Sequence, residues 1–252
     1  DFGPCLMGSV DILGTGSDNT ALKGLAIRVG PERDGTLLFD TELLRMAAGW
    51  TGGFLVFRGT PHDGAHGPIP YQYGDLAFWT GQAPGVAKDG SFADPRSIPH
   101  GPLPRDHGRY LGHYRGKDGV VLHYRVGARE VLELPGLVAG DAGVRALTRS
   151  FDIAAGAHPI SMVIAERRGA HGWVGTTLDD VRTAQLNGPA AGRLALLMRT
   201  SPAAKPEFAV RRAGGTWSDL PYGGPTANDF AQADGQQAVG VTVVDGFAGV
   251  AT

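Results

Sequence analysis

Two histidines four residues apart, His62 and His66, sit in Thr60-Pro61-His62-Asp63-Gly64-Ala65-His66-Gly67-Pro68. Metal-binding helices use that spacing because it puts both imidazoles on one face. Pro61, Gly64, Gly67 and Pro68 forbid a helix here, so an ion would be wrapped by a loop. His107 is then the candidate third ligand, with His100 or His113 in reserve. Asp106-His107 has the residue types of a general acid–base pair. Neighbours on an extended chain point in opposite directions, so Arg105 and Asp106 read first as ion-pairing residues that pin the loop. Asp75, together with Asp63 and Asp94, leaves a glycosidase-type carboxylate pair open. Asp75, Asp106 and His107 are the catalytic candidates.

Sugar rings present apolar C–H faces and hydroxyls that need partners, a combination suited to aromatic side chains flanked by polar ones. Tyr71 and Tyr73 bracket Gln72 at period two and are expected to share a face. With Asp75, Trp79, His62 and His107 they form the candidate ligand surface. Trp50, Phe78 and Trp79 read first as core side chains that anchor a long loop. Serine-based hydrolysis has no Gly-x-Ser-x-Gly elbow to support it. Cys5 has no base beside it in sequence. Gly14-Thr15-Gly16 begins a dinucleotide fingerprint, but Asn19 stands where the third glycine belongs and no amphipathic helix follows.

Whatever these residues do, the elements around them must hold them in place. Between Trp50 and Tyr110 lie eight of the seventeen prolines and four of the eight histidines, and no periodic pattern survives that punctuation for long. The stretch is too aromatic for a disordered linker, so an ordered loop over about 58–109 is expected. On its N-terminal side, strands are expected at Ser9–Leu13, Ala21–Val29 and Thr36–Asp40. Thr41–Ala48 fits either two helical turns or a strand, and Gly52–Phe57 reads as a strand entering the core. Beyond the loop, Tyr110–Arg115, Val120–Val126 and Glu130–Leu134 read as a three-stranded meander with a hairpin turn at Asp118-Gly119.

Val144–Ile153 and Ile160–Ala165 read as a further pair, with Leu147, Arg149 and Phe151 on one face. Leu194–Met198, Phe208–Arg212 and Ala238–Val244 complete the series. Residues 167–192 are weakly patterned, and 216–237 are polar and turn-rich. No repeat of 20–50 residues supports a propeller or solenoid. The expectation is an all-β chain: one large antiparallel β-sandwich over 1–252, with the loop as an insertion and little helix.

Composition narrows the partners. A net charge of −2 gives no electrostatic reason to expect nucleic acid or an anionic membrane. No apolar run approaches the roughly 20 residues that span a bilayer. Forty glycines favour turns over long helices. The single cysteine cannot form an internal disulfide, so it does not decide the compartment.

Several phrases, taken together, resemble a known family. They are Phe2-Gly3-Pro4, Lys23–Arg28, Phe39–Arg45 (Phe-Asp-Thr-Glu-Leu-Leu-Arg), Ala48–Phe54, Asp94-Pro95-Arg96, Gly101–Arg105, Val121–Gly127 and Val131-Leu132-Glu133. The chain is similar over about 1–135 to an uncharacterised domain of large secreted planctomycete and verrucomicrobial proteins. Those proteins also carry c-type cytochrome modules and, often, dehydrogenase-like or carbohydrate-related ones. The resemblance implies an extracytoplasmic location, a longer parent polypeptide and a neighbouring cytochrome or dehydrogenase domain. It transfers no catalytic residue. Covalent haem needs Cys-x-x-Cys-His, whereas Cys5 is followed by Leu6-Met7-Gly8-Ser9, so no haem cofactor is expected within these residues.

Three functional readings follow. The first is a β-sandwich module that binds carbohydrate or another small molecule, or docks a redox partner. The second is a glycan-active hydrolase or lyase that uses carboxylates and histidines of the 60–107 loop. The third is a metal-dependent oxidoreductase with a histidine-ligated metal.

Overall fold

The computed structural model describes residues 2–58, 67–88, 91–116, 119–139, 145–153 and 160–163. Beyond these it describes six strands, at 171–175, 182–185, 194–199, 207–212, 218–220 and 238–243. No helix occurs among the described residues, and the fold is all-β. In chain order the strands are β1 (Cys5–Asp11), β2 (Thr20–Val29), β3 (Gly35–Asp40), β4 (Arg45–Thr51), β5 (Leu55–Val56), β6 (Tyr71–Gln72), β7 (Asp75–Trp79), β8 (Val86–Ala87), β9 (Gly108–Gly116) and β10 (Gly119–Val126). There follow β11 (Arg129–Ala139), β12 (Arg145–Ile153), β13 (Ile160–Val163), β14 (His171–Gly175), β15 (Arg182–Gln185), β16 (Leu194–Arg199), β17 (Glu207–Arg212), β18 (Ser218–Leu220) and β19 (Ala238–Val243).

They form three sheets: β5-β6-β1-β2-β3-β4-β7, β15-β14-β19-β12-β11-β10-β9, and β18-β17-β16-β13-β8. Alternation along the strands decides how the first two meet. Leu25, Ile27, Leu37, Phe39 and Met46 of the first sheet join Val120, Leu122, Tyr124, Val126, Leu147 and Phe151 of the second in one buried cluster. Val86, Ile160 and Met162 of the third sheet close it. Phe39 and Tyr124 meet across the layers with ring centroids 5.4 Å apart.

The other face of the first sheet is buried as well, because that sheet curls back on itself. β6 and β7 are two halves of one run, parted at Gly74 (φ +136°). One half pairs with β1 and β5, the other with β4 at the opposite edge. Inside the curl lie Val10, Ala21, Ala26, Leu38, Ala48 and Trp50, covered by Phe54, Leu55, Leu76 and Trp79. Alanine at three of these positions leaves room for the Trp50 indole, whose Nε1–H donates to the Phe54 carbonyl at 3.0 Å. Gly74 is required there, since a Cβ would stand 2.3 Å from the Thr51 carbonyl oxygen.

Several expectations change. The stretch expected as one loop contributes β6, β7 and β8 to two sheets. Prolines hide them because each strand is only two to five residues long. Thr41–Ala48 holds no helix: Thr41–Leu44 form a turn, with Leu44 at φ +49°, and β4 begins at Arg45. Gly52–Phe57 shrinks to the half-buried pair β5. Strand β1 lies earlier than expected. β12 and β13 follow each other in sequence yet lie in different sheets. The weakly patterned stretches supply β14, β15 and β18. The sheets are mainly antiparallel, but β19 runs parallel to both β12 and β14, and β6 parallel to β1. The β9–β10–β11 meander stands as expected, with Gly119 paired to Gly116, while Asp118 of the expected turn lies outside the described residues.

Candidate functional site

The β3–β4 turn is the hub from which the site is built. Asp40 Oδ1 accepts from the backbone N–H groups of Glu42 and Leu43, and its Oδ2 accepts from Arg45 Nε at 3.1 Å. Arg45, fully buried, also donates to Asn19 Oδ1 at 2.9 Å, the Thr80 carbonyl at 2.7 Å and the Thr20 carbonyl at 3.2 Å. An arginine so deep is tolerable only with this many acceptors. The turn's own backbone then recruits distant chain: Gly85 N–H donates to the Leu43 carbonyl, and Leu103 N–H to the Glu42 carbonyl.

Residues 91–107 are fixed in turn by charge and backbone. Arg96 forks onto Asp94, Nε to Oδ1 at 2.9 Å and Nη2 to Oδ2 at 2.7 Å, while Nη1 reaches the Gly101 carbonyl. The Arg96 hydrogen bond holds the Asp94 carboxyl below the usual carboxylate range. His107 is buried, and its Nε2 lies 3.0 Å from the Val86 carbonyl. A carbonyl only accepts, so that nitrogen carries the proton. Asp106 pairs with Lys88 at 2.8 Å, and this pairing lowers its pKa. Of the two residues expected to pin the loop by ion pairing, Asp106 does so through Lys88, whereas Arg105 has no carboxylate partner among the described residues.

Between this pinned segment, β9 and the β3–β4 turn lies a cavity of about 310 Å³. Its apolar wall is Pro102, Leu103 and Tyr110; its polar rim is Lys23, Glu42, Arg105 and Arg109. Lys23 Nζ lies 3.5 Å from Glu42 Oε1. Arg105 and Arg109 are exposed, and neither has a carboxylate partner among the described residues. Sequence reading missed this site, because its parts come from β2, a turn, a loop and β9. The one available signal was Arg105 and Arg109 flanking His107.

The residues expected to bind or react do not assemble as one site. Tyr71, Tyr73 and Asp75 follow one another along the β6–β7 run. Tyr71 is half-buried under Arg58, whose guanidinium carbon is 5.5 Å from the ring centroid. Gln72 is occupied by Leu13, bonding both its N–H and its carbonyl at 2.9 Å. Tyr73 is 62% exposed, and Asp75 lies at the sheet edge opposite Thr51. Trp79 packs against the interior of the curl. Asp106 and His107 belong to the segment beside β8. His62, His66 and Asp63 lie outside the described residues. Among the described residues no three of His, Cys, Asp or Glu converge on a common point. His100 is exposed, and His123 stacks on Tyr114 with its Nε2 3.7 Å from Glu130.

One constellation was not anticipated. Cys5 Sγ lies 3.9 Å from His113 Nε2, and Tyr110 Oη is 2.8 Å from His113 Nδ1. The base lacking beside Cys5 in sequence is thus supplied by a residue 108 positions away. Burial, followed by the charge of Arg115, lowers the His113 pKa. Burial, followed by Cys5, pushes Tyr110 up to about 12. Cys5 itself is only 6% exposed.

Residues 37–133 match the family model of a domain of unknown function (DUF6797). That span runs from β3 into β11 and includes Glu42, Arg45, Arg105, Arg109 and Tyr110; Lys23 lies outside it. Comparison with curated proteins and with solved structures gives no match.

Proposed function

We propose that this chain is a carbohydrate-binding β-module, with its site in the pocket between β9 and the β3–β4 turn. One observation carries the reading: an apolar wall that includes a tyrosine ring faces a rim of charged donors and acceptors around a cavity of about 310 Å³. That volume is at the lower end of ligand pockets, about 300–1,000 Å³, and suits a small ring with its substituents. A sugar's C–H face would lie on Tyr110, Pro102 and Leu103, and its hydroxyls would meet Glu42, Arg105 and Arg109. The Tyr71–Tyr73 edge is the weaker candidate, because Arg58 covers Tyr71 and Leu13 occupies the intervening Gln72.

Binding is favoured over hydrolysis by the carboxylate count at the pocket. Glycosidic cleavage uses a pair of carboxylates, whereas among the described residues the rim has Glu42 alone, held by Lys23. The extracytoplasmic setting implied by the family resemblance suits such a module. The test is an oligosaccharide array followed by calorimetric titration of the hits. Binding weakened about tenfold or more by Arg105→Ala is expected, the size of one charge-assisted hydrogen bond. Affinity untouched by Arg105→Ala and Arg109→Ala would remove the pocket from the reading, and an array without hits would remove the function.

A further inference from the structure

The charge of the pocket goes further than its shape. Resting on the saccharide reading above, we infer that the ligand is an acidic sugar. Its anionic substituent, a carboxylate or a sulfate ester, is received by Arg109 and Arg105.

Three observations carry this. Among the described residues the rim has three cations, Lys23, Arg105 and Arg109, against one carboxylate, Glu42, in a chain whose net charge is −2. The local excess of positive charge is a property of the site, not of composition. Second, three other arginines of the chain are neutralised by carboxylates: Arg45 by Asp40, Arg96 by Asp94, Arg149 by Glu133. Arg105 and Arg109 have no such partner among the described residues, and their five-donor forks stand open to solvent.

Third, Arg109 is placed directly opposite Arg125 in the β9–β10 ladder, a like-charge pair that weakens a sheet. Arg125 makes no ion pair with Glu130, its neighbour on β11; the group within reach of that carboxylate is the His123 imidazole, at 3.7 Å. Its Nε is buried without an acceptor. An anion bound at Arg109 offsets the repulsion between the two guanidiniums, so ligand and fold gain from the same contact. The guanidinium fork matches the two oxygens of a carboxylate or sulfate. Glu42, already neutralised by Lys23, remains free to accept from a ring hydroxyl and sets the sugar's orientation.

The experiment is calorimetric titration of the full chain with uronate- and sulfate-bearing oligosaccharides, each beside its neutral counterpart. Oligogalacturonate and its methyl ester form the first pair. The acidic member is expected to bind about tenfold or more tightly than the neutral one. That preference is expected to disappear in Arg109→Gln, persist in part in Arg109→Lys, and shrink as salt is raised from about 0.05 to 0.5 M. Both arginines are exposed, so the variants are expected to fold, and circular dichroism checks this. Equal affinity for acidic and neutral members overturns the inference and leaves the saccharide reading standing. Binding of inorganic sulfate or of a single-stranded oligonucleotide, with no saccharide bound, overturns both, as does no binding of any probe.

Discussion

Arg149 forks onto Glu133 in the interior of the second sheet, Nε to Oε1 at 2.6 Å and Nη2 to Oε2 at 3.1 Å. The Tyr124 hydroxyl donates to the same carboxylate at 2.7 Å, and Arg149 Nη1 reaches the Val163 carbonyl of β13 in the third sheet. The network ties two sheets together without solvent. Removing one partner leaves an uncompensated buried charge, so Glu133→Gln is expected to cost about 3–5 kcal/mol in denaturant unfolding. Replacing the whole set at once, with Tyr124→Phe, Glu133→Leu and Arg149→Met, is expected to be near neutral, because an apolar core of similar volume carries no desolvation cost. A triple variant less stable than Glu133→Gln would contradict this.

His113 gives the fold a dependence on mild acid. Burial lowers its pKa below the ordinary histidine value of 6.5, so in the range between the two values the unfolded chain binds more protons than the folded one. The stability contributed is therefore present above about 6.5 and is lost as pH falls through the folded value. Asp94, also depressed, adds a loss of the same sign further down, below 3.8. Thermal unfolding measured from pH 8 to pH 5 is expected to show a falling midpoint, and His113→Gln is expected to flatten that slope. An unchanged slope in the variant would assign the effect elsewhere.

Alkali works on the tyrosines with the opposite sign. Tyr110 is raised from 10.0 to about 12, chiefly by burial, and Tyr124 is raised well above its ordinary value, also by burial first. Their contribution is complete below about pH 10 and is lost as pH rises through the folded values. These two phenols are expected to resist ionisation, so on raising the pH their share of the absorbance near 295 nm should stay silent until about pH 12 or unfolding. Tyr110→Phe should leave one.

Local pattern made much of the fold legible. The period-two faces of the β9–β11 meander place Val120, Leu122, Tyr124 and Val126 inside, and the expected face of Leu147, Arg149 and Phe151 is buried throughout. Trp50 and Phe78 are the core anchors that their size and setting suggested. What failed was anything set by long-range pairing. Strands of two to five residues, such as β6 and β7, carry too few alternations to show a period; their conformation is imposed by the sheet edges they join. The candidate site failed for a related reason. Aromatic and histidine density drew attention to Tyr71, Tyr73 and His107, yet His107 serves the Val86 carbonyl. The open cations Arg105 and Arg109 match no motif, and only their flanking of His107 marks them in the sequence.

Gly85 tests whether the β3–β4 turn is the hub of the site. Its N–H donates to the Leu43 carbonyl at 2.9 Å, and its carbonyl accepts from Val163 N–H at 2.9 Å, so it joins that turn to β13. A Cβ there would stand 2.3 Å from Arg45 Cα and 2.5 Å from the Leu44 carbonyl oxygen, contacts with backbone that no rotamer relieves. Leu44 is already at φ +49° and Arg45 is committed to four acceptors, so neither can yield cheaply. Gly85→Ala is therefore expected to destabilise by about 1–3 kcal/mol or more. Gly8 is the control: it lies exposed in β1, with nothing within 4 Å of a built Cβ. Gly8→Ala is expected to be neutral or to stabilise by about 0.4–1 kcal/mol through the unfolded chain's lost freedom. Because the turn carries Glu42 and seats Leu103, Gly85→Ala should also weaken any ligand bound at Arg105 and Arg109, whereas Gly8→Ala should not. Equal unfolding midpoints for the two variants would show that the turn is not held as tightly as its hydrogen bonds and close contacts require.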